Sequence, residues 1–291
     1  MRADTWFTEV HDPGLRFSIK LKKEIYNAKS AFQEILIYES ESFGKILILD
    51  GFLMCTEKDE HIYHEMIVHP AMATRPDIDR VLVIGGGDGG AVRELCRYPG
   101  IRHIDLVEID PDVLQACQTY LPQIACSLDD PRVHIYYEDG VRYIRKHQNE
   151  YALIIVDSTD PFGPGEGLFT QEFYGACHHA LDKDGILVNQ HESVFYEEYI
   201  PAMRRAHRIL RRLFPISEVF QAHIPTYPSG HWLFGFSSKR LHPLRDQQRE
   251  SWEALGLRTQ YYNSRLHRGA FFLPNNVLHE LEAEATAFAE D

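Results

Sequence analysis

Several apolar stretches of the chain run out into side chains that can bind cations or move protons. "VLVIG", beginning at Val81, opens into a turn of five glycines with Asp88 among them. "LVEID" places Glu108 and Asp110 at its tip, and "YEDG" ends in Glu138, Asp139 and Gly140. "VDSTDP" ends in Asp157 and Asp160, and "NQHES" in Gln190 and Glu192. A glycine-rich turn ordinarily brings backbone N–H groups to a phosphate. Asp88 would repel a pyrophosphate, so it argues against the hydride-transfer enzyme that Gly85, Gly87 and Gly90 allow through their GxGxxG spacing. A nucleoside with a cationic tail, such as a sulfonium, suits the acid better. Carboxylates crowded at one cleft are costly unless cations fill it.

The individual acids separate by position. Glu108 lies about twenty residues beyond the glycine turn, where an acid binds ribose hydroxyls. Asp110, just before Pro111, reads as a helix cap. Asp139 fits either a plain turn before Gly140 or an adenine contact. Asp157 and Asp160 precede a Pro/Gly-rich loop and suit a cationic ligand. Other chemistries fit poorly. "HEMIVH" has one residue too many for a zinc-protease helix, leaving His64 and His69 about 140° apart around it. No GxSxG elbow occurs, and His178 and His179 read as helix-surface residues.

These residues need a scaffold that brings strand ends together. From Arg80 the pattern alternates strands (81–85, 104–109, 133–137, 151–156, 185–190) with helices (89–97, 111–121, 140–147, 171–181). That predicts an α/β fold with a mainly parallel sheet, whose ligands sit at the carboxyl ends of its strands. A long helix in "EEYIPAMRRAHRILRRLF" follows, and "SEVFQAHIP" and "HWLFGFSSK" predict an antiparallel addition. Before residue 59 the chain reads as a small β domain with strands at 15–21, 34–40 and 44–56 and a turn at Asp50–Gly51. A helix over 59–74, capped by Asp59, opens the larger domain. The expected division is therefore 1–58 and 59–291.

Of 291 residues, 44% are apolar, enough for a substantial core. Acids outnumber Lys and Arg by 43 to 30, which argues against a general nucleic-acid binder. No charged-then-apolar leader and no apolar run of membrane-spanning length is seen. Five cysteines form no close pair, which points to a reducing, cytoplasmic setting and not to a disulfide framework or zinc site.

Taken together, the motifs resemble the spermidine synthase family of polyamine aminopropyltransferases. The resemblance runs from "WFTE" at 6–9 and "FQEI" at 32–35 through "LDGFLMCTEKDEHIYHEM", "VIGGGDGG", "VEID", "DDPRV" and "EDG" to "DSTDPFGPGEGLF", "GILVNQ" and "IPTYPSGHW". It implies a methyltransferase-like Rossmann fold behind a small N-terminal β domain, and a homodimer or homotetramer. It also implies transfer of an aminopropyl group from decarboxylated S-adenosylmethionine, a co-substrate, to putrescine, giving spermidine and methylthioadenosine. No metal or redox cofactor, nucleic acid or membrane is implied. Gln33, Glu108, Asp139, Gly140 and Pro164 match positions that hold the nucleoside. His64 and Asp88 match contacts to the amine-bearing part of the ligands, and Asp157 to Asp160 match the polyamine contact, with Asp157 as proton acceptor. Tyr63, Gln190 and Tyr227 match the substrate groove, and Trp6 an aromatic at its far end. Many family members have Gln where this chain has Met54 and His64, which bears on the choice of amine. Agmatine, cadaverine or a triamine are alternative acceptors, and a methyltransferase or a non-catalytic polyamine or nucleoside binder are competing readings.

The implied reaction sets a clear chemical demand. The acceptor amine, with an ordinary pKa of about 10.4, must lose a proton and attack in line with a carbon–sulfur bond. Asp157 is the expected base, directly or relayed through Tyr63, Tyr227 or water. Asp88 is expected to accept the ammonium of the aminopropyl tail and to repel the carboxylate of S-adenosylmethionine.

Overall fold

The computed structural model of the chain describes residues 4–158, 163–197 and 199–282. It contains two sheets. The first is an antiparallel meander of β1 (Thr5–Asp12), β2 (Leu15–Lys29), β3 (Glu34–Ser40), β4 (Lys45–Leu49) and β5 (Phe52–Thr56), paired in that order. Alternation along β4 sends Ile46 and Ile48 to the sheet's own small core and Leu47 and Leu49 to the main core of the molecule. One face of the small sheet therefore packs on the rest of the chain. The 44–56 run forms two strands joined by the expected turn at Asp50 and Gly51, which both take positive φ (48° and 87°).

The second sheet has seven strands. They are β6 (Arg80–Gly85), β7 (His103–Glu108), β8 (Val133–Tyr137), β9 (Tyr151–Asp157), β10 (Leu181–Gln190), β11 (Ile216–His223) and β12 (His231–Ser238). Their spatial order is β11-β12-β10-β9-β6-β7-β8. Pairs among β6 to β10 are parallel, while β12 is antiparallel to both neighbours. This is the methyltransferase-like arrangement, with the expected addition at one edge. The central strands "VLVI" and "ALIIV" are buried on both faces, as parallel strands covered by helices must be. The strand order reverses between β6 and β9, where Gly85 lies in register with Asp157. A crevice opens at such a reversal.

The helices are α1 (Glu60–Thr74), α2 (Gly90–Cys96), α3 (Pro111–Tyr120), α4 (Gly140–Ile144), α5 (Gln171–Ala180), α6 (Ile200–Leu213), α7 (Arg249–Ala254), α8 (Ser264–Ala270) and α9 (Asn275–Glu282). Among them α1 is apolar nearly all round and buried from Ile62 to Thr74, as a helix enclosed by other elements should be. Asp59 does not cap it with its side chain. Its carboxylate instead accepts from Thr56 Oγ1 at 2.6 Å and from Thr226 Oγ1 and N at 2.8 and 3.1 Å, tying the start of α1 to the loop before Tyr227. Among the described residues no helix is long and apolar enough to cross a membrane.

Candidate active site

A cavity of about 370 Å³ opens at the reversal of strand order, a size suited to a small organic ligand. The tips of β6, β7 and β9, the start of α4, and Tyr63 and His64 of α1 line it. Gln33, Leu47, Leu49 and Met54 of the small sheet close it from the other side. A second, smaller space of about 50 Å³ shares Met54, Tyr63, Ser158 and Tyr227 with it and reaches Glu9, Gln190 and Trp232.

The glycine turn explains how the site groups converge. Gly85, Gly86 and Gly89 take positive φ of 78°, 70° and 84°, which glycine adopts without a Cβ penalty. A Cβ at Gly86 would lie 2.8 Å from Asp157 Oδ2, and one at Gly87 2.7 Å from Glu108 Oε2. At Gly85 it would overlap the Asp157 carbonyl, and at Gly90 the His64 imidazole. The missing side chains are thus the space that the neighbouring strand tips and α1 occupy.

At one end of the cavity stand the residues expected to hold the nucleoside. Glu108 Oε1 accepts from Asp110 N at 2.9 Å. Burial pushes its carboxyl up to about 7, against opposing N–H bonds from Asp110, Ile109 and Gly87. Asp110 caps α3 as expected, accepting from Asp112 N at 3.1 Å. It also accepts from Ser30 Oγ at 2.7 Å and Gln33 Nε2 at 2.9 Å, and so fixes Gln33 against the cavity. Asp139 caps α4 through Val141 N at 2.8 Å, and lines the cavity with Gly140. Gly140 packs its Cα against Ile84, leaving no room for a Cβ. Pro164 belongs to a 3₁₀ turn, Gly163–Phe169, from which Gly165, Gly167 and Leu168 line the cavity.

The other end is charged and built from distant segments. Tyr63 donates its hydroxyl to Asp157 Oδ1 at 2.7 Å. Asp157 Oδ2 is buried and has no hydrogen-bond partner among the described residues. Burial, then the Asp88 charge, push the Asp157 carboxyl up to about 6, against His64 and the Tyr63 hydroxyl. Burial and the Asp157 charge hold the Tyr63 phenol well above its usual value, so it remains a donor. Tyr227 donates instead to the Met54 carbonyl at 2.6 Å and makes no direct relay to Asp157. Gln190 is locked to Glu192, donating to Oε1 at 2.6 Å and accepting from Glu192 N at 3.1 Å, with Glu192 at φ 64°. Asp160 lies outside the described residues.

Asp88, expected to accept an ammonium, already has two partners within the protein. Its Oδ1 accepts from Gly90 N at 2.7 Å and lies 3.3 Å from His64 Nε2. Burial works to raise the Asp88 carboxyl, but the His64 charge and hydrogen bond outweigh it and hold it below the usual range. Asp88 therefore serves the helix turn and a charge pair together. Trp6 is 52% exposed on β1 and lines neither space; Glu9 of the same strand lines the smaller one. The motif "WFTE" contains Glu9, but only the fold shows that Glu9 turns inward, where its Oε2 accepts from Leu53 N at 2.8 Å.

A switch-point crevice, a glycine turn carrying an acid, and a buried carboxylate paired with tyrosine define a transferase on a methyltransferase-like Rossmann fold. Comparison with known proteins narrows the class. Residues 60–247 match the family model described as "Spermine/spermidine synthase domain", and residues 5–57 match "Spermidine synthase tetramerisation domain". The chain is 60% identical over 281 residues to the polyamine aminopropyltransferase of Alkaliphilus oremlandii, covering 97% of this chain and 99% of that one. It is 59% identical over 279 residues to that of Clostridium perfringens, covering 96% and 98%. A spermidine synthase solved in complex with the transition-state analogue AdoDATO superposes with a TM-score of 0.93 at 40% identity, over 95% of this chain and 94% of that one. The spermidine synthase of Thermotoga maritima gives 0.92 at 40% identity, over 96% and 95%. The chain belongs to the spermidine synthase family of polyamine aminopropyltransferases.

Proposed function

We propose that the protein transfers the aminopropyl group of decarboxylated S-adenosylmethionine to putrescine. The observation that carries this reading is Asp157, with one oxygen held by Tyr63 and the other buried without a partner in the cavity wall. The acceptor nitrogen attacks the carbon bound to the sulfonium. The C–N bond forms, the C–S bond breaks with its electron pair passing to sulfur, and the neutral thioether leaves as methylthioadenosine. The nitrogen's surplus proton goes to Asp157. A carboxylate lifted to about 6 is a better match to an amine than an ordinary one, yet still ionised at neutral pH. Gln33, Glu108, Asp139, Gly140 and Pro164 hold the nucleoside in this reading, with Glu108 accepting from ribose hydroxyls. Asp88 and Asp160 attract the ammonium groups in this reading, with His64 beside Asp88 at the amine-bearing part of the ligands. No metal or redox cofactor enters the reaction.

The small second space supports a short diamine as acceptor. Gln190, Tyr227 and Tyr63 flank it and the Glu9 carboxylate closes it. The exposed Trp6, Val10 and Leu15 on β1 and β2 support assembly through the small sheet into a tetramer, the state named for the family model matched there. Light scattering tests that assembly, and a monomer rules it out. The reaction is tested by incubating the protein with decarboxylated donor and putrescine, cadaverine, agmatine or spermidine, following methylthioadenosine release. Putrescine is expected to give the highest kcat/KM. Preference for another amine overturns the acceptor, and nucleoside binding without turnover overturns the enzyme assignment.

A further inference from the structure

Behind the part of the cavity wall formed by His64 and Asp88 runs a largely buried charge chain, whose far members Glu60 and Arg93 line neither space. Arg93 of α2 grips Glu60 of α1 with two bonds, Nη1 to Oε1 at 2.8 Å and Nη2 to Oε2 at 2.9 Å. Glu60 Oε2 lies 2.6 Å from His64 Nδ1, and His64 Nε2 lies 3.3 Å from Asp88 Oδ1. The imidazole is buried and fixed in place. It packs edge-on against Tyr63, ring centres 5.4 Å apart, and lies against Gly90, where any Cβ would overlap it.

We propose that Glu60, braced by Arg93, is a positioning residue that holds His64 so that both ring nitrogens donate, one to Glu60 and one to Asp88. The reasoning begins with donor counting. Ionised carboxylates only accept hydrogen bonds, and a neutral imidazole donates from one nitrogen alone. A ring between two carboxylates satisfies both only as an imidazolium. The planar Arg93 fork keeps Glu60 ionised and aimed at Nδ1. Pairing with His64 and Gly90 N falls on Asp88 Oδ1, which leaves Oδ2 outside it.

The charged and titratable groups around the ring come from four directions. They are Glu60 and Tyr63 of α1, Asp88 of the glycine turn, Asp157 of β9, and Arg93 of α2 beyond Glu60. Burial works to lower the imidazole pKa, but Asp88 and Glu60 prevail and hold it well above its usual value. The charge beside Asp88 then stays constant across neutral pH. This inference deepens the proposed reading, because it concerns the end of the cavity assigned to cationic ligands.

Its first test does not depend on turnover. His64 is followed by NMR of ring-¹³C-labelled histidine in the ligand-free protein, its signal assigned by its loss in His64→Asn. The native signal is expected at its imidazolium position without titrating between pH 5.5 and 8, whereas in Glu60→Gln the midpoint falls by a unit or more. Arg93→Met should shift it in the same direction by less. With decarboxylated donor, the ratio of the Glu60→Gln KM to the native KM should change threefold or more across the new midpoint. Native titration near the ordinary histidine value of about 6.5 overturns the inference whether or not the variants fold. So does a folded Glu60→Gln protein whose His64 titrates as in the native chain, or a KM ratio that stays constant with pH. Failure of turnover with the decarboxylated donor overturns the proposed function and leaves the NMR result standing.

Discussion

At one end of the cavity each acid is held by a backbone N–H two residues further along its own segment: Glu108 by Asp110, Asp110 by Asp112, Asp139 by Val141. At the other end Asp157 is held by Tyr63, 94 positions away, and Asp88 by His64 as well as by Gly90. The acids of the first end sit in local turns that each strand tip forms for itself, with Gln33 added from the small sheet. The second exists only because α1 docks across the glycine turn. Damage at the first end should therefore weaken one contact at a time. Damage at the second should spread, since each charge there sets the state of the next.

The largest effect is expected from Asp157→Asn, which keeps the shape and removes the proton acceptor. Turnover should fall on the order of a hundredfold or more, while methylthioadenosine affinity, measured by calorimetry, stays within about twofold. Near-normal turnover across neutral pH would remove Asp157 as the base. A parallel loss of nucleoside affinity would show that the two ends are not separable.

Gly90→Ala and Gly87→Ala compare the two ends directly. At Gly90 the added methyl meets a buried ring fixed between two carboxylates, and overpacking of this kind costs about 1–3 kcal/mol. At Gly87 it meets Glu108 at Oε2, 2.7 Å away, a shallower clash than the 2.3 Å approach to the His64 ring at Gly90. Thermal unfolding should show the larger loss for Gly90→Ala, and equal losses would contradict the contrast.

Glu108→Gln should weaken methylthioadenosine binding about tenfold, or about 1.4 kcal/mol. On the proposed reading the ionised carboxylate is the form that accepts ribose hydroxyls. Its value of about 7 means that affinity declines as pH falls through 7. The Gln variant should lose that part of the pH dependence, and titrations at pH 6 and 8 decide it.

The smallest effect belongs to Tyr63→Phe. The tyrosine hydrogen bond stabilises ionised Asp157, so its removal raises a carboxyl already near 6. Because the base must be ionised to act, kcat/KM declines as pH falls through that value, and the acid limb should move to higher pH in the variant. An unmoved limb would mean that Tyr63 places the substrate and does not tune the base.

The same contrast governs what the sequence discloses. Val- and Ile-rich runs ending in glycine or acid marked the five parallel strands and their tips, because both signals are local. Strand β1 was missed as a strand. β2 runs to Lys29, well past the expected end at 21, because bulges between Leu21 and Lys23 and between Glu24 and Tyr26 break the alternation that reveals a strand. The early part of β10 is hidden similarly, by the irregularity between Leu181 and Ile186. In the site, the acids of the glycine turn and strand tips were legible. Glu60, Arg93 and Glu9 were not, since their roles come from partners brought together by tertiary packing. Asp59 sat where a cap belongs, yet its bond to Thr226, 167 positions away, prevailed.

Gln33 has a consequence of another kind. It rides on the small sheet, yet it is fastened to Asp110 of the large domain, and Lys45 reaches across the same seam to the Tyr120 carbonyl at 2.6 Å. A nucleoside touching both Gln33 and Glu108 spans that joint and acts as a clasp between the two bodies. Any opening that parts them must first expel it, so at a hundred times its Kd the ligand adds about 2.7 kcal/mol to the cost of that opening. Amide protons whose exchange requires the small sheet to lift away would then slow about a hundredfold on saturation, and those released by fraying elsewhere would keep their rates.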